Sequence, residues 1–136
     1  MKSITVVADD RVGLLADISY ILGKSNLGIE GLTVEVIGGK AIVSLETRDV
    51  EKAKGILEGN GFRTTKANTI VIKVSNYLRA IGEINEMLAG EKIKVRDFSL
   101  LSSDSQDGIF ALLVDKPRKA TRMLNDFILG SDAAVC

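Results

Sequence analysis

The 136-residue chain has no histidine, no tryptophan, one proline and one cysteine, and its acidic and basic residues cancel at 18 each. Each scarcity removes a class of function. Without histidine the commonest general base and the commonest zinc ligand are gone, so acid–base and metal enzymes lose most of their ground and no cofactor is expected. The single thiol, Cys136, leaves no intramolecular disulfide, and with no acid or base close to it in sequence it reads as chemically idle. Charge balance leaves no overall field to hold nucleic acid or an anionic membrane. No apolar run is long enough to span a bilayer, and MKSITVVADD reaches its paired acids too early for a signal peptide, so the expected location is the cytoplasm.

What the chain has is apolar content, 46%, arranged with a period. Ile4, Val6 and Ala8 alternate as in a strand, and Leu14, Ile18, Ile21 and Leu22 follow helical spacing. Alternation over residues 29 to 36, the Gly38-Gly39 pair and a return over residues 41 to 46 predict a hairpin. A second helix begins after the N-cap candidate Asp49, carries Val50, Ala53 and Leu57 on one face and ends at Gly59 or Gly61; Phe62 opens a fourth strand. The order then repeats. Ile18, Leu22 and Ile29 are matched by Ile84, Leu88 and Val95 at an offset of 66, and Ala53 and Leu57 by Ala120 and Leu124 at 67. In this second copy NTIVIKV stands for the first strand, residues 94 to 101 and 109 to 114 form the hairpin, and residues 118 to 129 form the last helix, with Pro117 in its first turn.

Such a unit has a known solution, the ferredoxin-like βαββαβ fold, in which both helices cover one face of an antiparallel sheet. The fold class expected is α+β with two such units, residues 1–67 and 68–136. SDAAVC leaves room for no more than a stub of a closing strand, so the second unit's last strand is expected to be shortened. Each unit is small for a self-sufficient core, so packing of one against the other, and of two chains in a homodimer, is expected to supply burial.

The stretch DDRVGLLADI carries the chemistry. Gly13 stands where a helix presents its unpaired N–H groups and positive dipole end, a place for a carboxylate. Asp9 and Asp10, just upstream, suit an ammonium group, so the loop as a whole suits a zwitterion such as an amino acid. The plainer alternative is that Asp10 caps the helix, Arg11 is solvated and Gly13 makes a turn.

DDRVGLLADISYIL followed by NLGIEGLTVEV resembles the ACT domain, a ligand-binding module of amino-acid metabolism whose opening loop typically reads Asp-Arg-Pro-Gly. Asp10, Arg11 and Gly13 match, and Val12 replaces the proline. The resemblance implies a non-enzymatic regulatory protein that binds an amino acid at the interface between ACT units and acts on a partner enzyme or regulator. The ligand-binding residues it implies are Asp9, Asp10, Arg11, Val12, Gly13 and Leu14, with Asn26 and Gly28 near the position where the family often has an asparagine. In the second copy Arg79 aligns with Gly13, so that copy is expected to have lost its own site or to wall the first, through Ser75, Asn76, Arg79 or Arg96. The rival reading is a structural module that dimerises through its sheets and keeps a vestigial site; Arg79 and Gly28 favour it.

Three other signals have plainer explanations. SSDSQDG, at 102–108, lacks the alternating oxygen ligands of a calcium loop and reads as a solvated hairpin loop. Lys116, Arg118, Lys119 and Arg122 at the start of the last helix read as a solvated face, or as a patch answering an acidic partner. Tyr20 and Tyr77, with no recognisable acid–base partner, read as packing residues with a wet tip.

Overall fold

The computed structural model describes residues 3–66 and 68–131. The first unit runs β1 (Ile4–Asp9), α1 (Leu14–Gly23), β2 (Gly31–Ile37), β3 (Lys40–Glu46), α2 (Val50–Gly59) and β4 (Arg63–Thr64). The second runs β5 (Ile70–Ser75), α3 (Tyr77–Gly90), β6 (Val95–Ser103), β7 (Asp107–Val114), α4 (Pro117–Met123), a 3-10 turn (Asn125–Phe127) and β8 (Ile128–Ser131). Each forms an antiparallel sheet, ordered β2-β3-β1-β4 and β6-β7-β5-β8, the split arrangement that the alternation and the repeat predict. Residue 67, where the first domain was expected to end, and Cys136 lie outside the described residues.

Local chemistry accounts for the boundaries. Gly38 and Gly39, at φ +57° and +77°, make the two-residue turn that matches strand twist. The Asp49 carboxylate accepts from the Lys52 amide at 3.0 Å and starts α2; Gly61, at φ +87°, follows its end. Pro117 occupies the first turn of α4. That helix is shorter than the expected 118–129. It ends at Met123, and β8 forms from Ile128, so the closing strand spans four residues, three of them paired with β5 around a register shift, where β4 has two. The part of the expected stub beyond residue 131 lies outside the described residues.

Two cores sit under the helices. The repeated positions Ile18, Leu22, Ala53 and Leu57, and Ile84, Leu88, Ala120 and Leu124, are all buried there. A third cluster joins the opposite faces of the two sheets: Val7, Ile37 and Ile42 pack with Val71 and Ile109, and Leu101 rests against them. The units therefore meet sheet to sheet with their helices outermost, each covering surface the other leaves bare. Polar contacts hold the margins. Lys73 Nζ lies 2.5 Å from Glu35 Oε1, and Ser102 Oγ donates to the Ile37 carbonyl at 2.6 Å.

Among the described residues no helix is long and apolar enough to cross a membrane.

Candidate functional site

Sheet register places the strand–helix junction. Asp9, the last residue of β1, lies opposite Lys40, the first of β3, and Lys40 Nζ donates to its carboxylate at 2.5 Å. That bond, reinforced by the ammonium charge, holds the Asp9 carboxyl below the usual aspartate range. The Asp10 amide donates to the Gly39 carbonyl at 3.1 Å, tying the loop to the hairpin turn. Arg11 reaches forward to Asp17 at 2.6 Å. Val12 is fully exposed at the crest, and Leu14 turns inward into the core.

Gly13 is the N-cap of α1, at φ +86°, with no side chain bonded to the helix end. The left-handed backbone explains the glycine. The open end is a further fact: the first-turn amides, which no helix satisfies internally, meet no side-chain cap, and a Cβ at residue 13 would find only the Arg11 guanidinium, 3.9 Å away. The plain reading of the loop therefore fails at Asp10, which does not cap the helix, and holds at Arg11, which is exposed although paired with Asp17, and at Gly13, which makes the left-handed turn. Of the two acids, Asp9 is engaged by Lys40, whereas the Asp10 carboxylate has no partner among the described residues. The Leu14 amide meets the Arg11 carbonyl at 3.4 Å, which leaves the Leu15 and Ala16 amides as the open donors beside the Asp10 carboxylate. Lys40 and Asp17, which settle which acid is free, were not singled out in the sequence; strand register and an i+6 reach across a loop are invisible to spacing.

Asn26 and Gly28 lie at the other end of α1. Asn26, at φ +59°, is the left-handed residue after the helix, with its amide on the Gly23 carbonyl at 3.0 Å. The Gly28 carbonyl accepts from Thr47 Oγ1 at 2.8 Å, beside a shallow depression of about 330 Å³. Ten helical residues, about 15 Å, separate this end from the junction, so one chain does not bring the two halves of the expected site together.

The second unit departs from the expected alignment. β5 ends at Ser75, Asn76 alone takes the left-handed turn at φ +51°, and α3 begins at Tyr77. The structural counterpart of Gly13 is thus Asn76, not Arg79. Asparagine tolerates that conformation, so the strand passes straight into the helix, and the excursion that Asp10 to Gly13 make in the first unit is absent. Arg79 sits within the first turn of α3, 3.8 Å from Glu83. Arg96 is at a register shift near the start of β6, the length of β7 away from Ser75, roughly 20 Å. It does not share a wall with Ser75, Asn76 and Arg79.

The weaker signals resolve structurally. Asp104 accepts from the amides of Gln106 and Asp107, which keeps its carboxyl below the usual range, and so builds the β6–β7 turn. Lys116 and Lys119 donate to the carbonyls of Lys92 and Glu91 just past α3, capping that helix. Tyr77 is half-buried, its ring 6.0 Å from that of Phe110. Tyr20 is exposed rather than packed, with Lys24 over its ring at 5.0 Å.

No family model matches the chain. No curated protein matches it either. Among solved structures it is similar to a protein of Bacteroides thetaiotaomicron, at 14% identity and a TM-score of 0.48, over 93% of this chain and 90% of that one. It is also similar to the regulatory subunit of aspartate kinase from Thermus thermophilus in a ligand-free form, at 9% identity and TM-score 0.43, over 91% and 90%. The corresponding subunit from Thermus flavus overlaps at 10% identity and TM-score 0.44, again over 91% and 90%.

Proposed function

We propose that the chain is a non-catalytic regulatory protein of the ACT type, with domains at residues 1–67 and 68–136, that binds an amino acid and acts in the cytoplasm on a partner enzyme or regulator. The observation that carries this reading is the β1–α1 junction: a helix start with no side-chain cap beside Asp10, whose carboxylate has no partner among the described residues. The ligand's carboxylate would rest on the first-turn amides of α1, where the dipole favours negative charge, and its ammonium group on Asp10.

A homodimer completes the site. β2 is an edge strand, and its helix-side residues Leu32, Val34 and Val36 remain 36%, 38% and 52% exposed. Antiparallel pairing of two copies along β2 would cover this stripe and bring the start of one β2 to the end of the other. The partner's Asn26 would then approach the first chain's Gly13, joining halves that lie about 15 Å apart in one chain. A ligand preferring the paired state shifts the assembly equilibrium only by its differential affinity, and a coupling of about 1–3 kcal/mol makes a usable switch.

The test is thermal unfolding of the purified chain against the common amino acids. Ligand at a hundredfold excess over Kd adds about 2.7 kcal/mol, so one chemical group of amino acids should raise the melting temperature selectively. Gly13→Arg should keep the fold and lose the rise. A flat response across the panel would favour a dimerising scaffold with a vestigial junction, the reading that the exposed β2 stripe also fits.

A further inference from the structure

The apolar contact between the sheets gives way, under β4 and the connection that follows it, to a cleft of about 220 Å³. Val7, Leu101 and Ala111 supply apolar lining, Arg63 and Lys66 come from the first unit, and Asp97 from the second. The cleft shares no residue with the β1–α1 junction. Arg63 lies opposite Val7 in the β1–β4 pairing and so projects from the sheet face that meets the other unit. It has no carboxylate partner among the described residues. Lys66 is held only loosely, its Nζ 3.8 Å from Asp97 with both side chains at least half exposed. Two cations thus face one carboxylate in a space below the roughly 300–1,000 Å³ typical of drug-sized ligands.

We propose that this cleft binds a small carboxylate bearing a short apolar chain. The carboxylate bridges Arg63 and Lys66, displacing the long contact to Asp97, and the chain lies on Val7, Leu101 and Ala111. Arg63 is suited to this role because its planar fork matches a carboxylate. An α-amino acid and the matching 2-oxo acid share this chemistry; Asp97, freed from Lys66, answers an ammonium group where there is one. Because both units line the cleft, its occupant bears on how they are held together. The proposal is independent of the reading of the junction.

Calorimetric titration of the full-length protein with L-valine and with 3-methyl-2-oxobutanoate tests it, with circular dichroism confirming that each variant is folded. Saturable binding of either probe is expected, weakened about tenfold or more by Arg63→Gln, in keeping with loss of a charged hydrogen bond, and unchanged by Arg118→Gln, which removes an exposed charge outside both sites. Asp97→Asn separates the two sources: it weakens valine and spares the oxo acid. Binding that survives Arg63→Gln and disappears in Gly13→Arg would overturn the cleft while supporting the junction. Absence of binding by both probes, or sulfate binding as tightly at equal ionic strength, would overturn it outright.

Discussion

Gly38 and Gly39 have similar backbone conformations and opposite surroundings. A Cβ on Gly38 would lie 2.3 Å from the Ser103 carbonyl of the other unit, whereas one on Gly39 would meet nothing within 4 Å. Gly39→Ala should therefore cost only the left-handed backbone, about 1–2 kcal/mol. Gly38→Ala should cost more, because the hairpin must also withdraw from β6. Urea unfolding of the two variants measures the difference; equal losses would mean that the β2–β3 turn does not help to join the units. Asp9 offers a check on charge. Its carboxyl is held low by Lys40, so the pair stabilises the fold above the ordinary aspartate range and loses that contribution as pH falls through the lowered value. In Lys40→Met, carboxyl NMR titration should find Asp9 back near the usual range. The residue types at the junction were legible in sequence, but their pairing was not, because it depends on Asp9 facing Lys40 across two strands.

At the level of the element, periodicity located every helix and both hairpins, and the repeat made each half a check on the other. It erred where a boundary depends on one backbone choice. α3 starts three residues ahead of its aligned counterpart because Asn76 adopts the left-handed turn, and α4 stops early because the chain re-enters the sheet as β8. The sheet-to-sheet packing left a trace in sequence, in strands that depart from strict alternation: Val6 and Val7, then Ile70, Val71 and Ile72, are buried on both faces. Helix caps give the cleanest element-scale test. Asp49→Ala should destabilise the protein by about 1 kcal/mol through loss of the α2 cap, read as a shifted urea midpoint with unchanged slope.

For the whole molecule, the shared cluster makes one folded body of two repeats. Ile109 is fully buried between the sheets, in contact with neither helical core. Ile109→Ala should cost about 2–5 kcal/mol and, if both units rely on that contact, the unfolding transition should stay single. Two separate transitions would show instead that each repeat stands alone. The Lys73–Glu35 pair adds a pH signature. Its hydrogen bond raises the Lys73 pKa, so its contribution is complete at neutral pH and is lost as pH climbs through that raised value; Lys73→Met should blunt this alkaline loss.

The proposed junction site holds its amino acid between two copies of the chain. Backbone amide NMR, with amino acids titrated into the full protein, reads both halves of that site at once. One amino acid is expected to shift the amides of Leu15 and Ala16 together with those of Asn26 and Gly28, since in the proposed dimer the partner's Asn26 completes the site. Shifts confined to other regions, or none at saturating concentrations of every common amino acid, would contradict it.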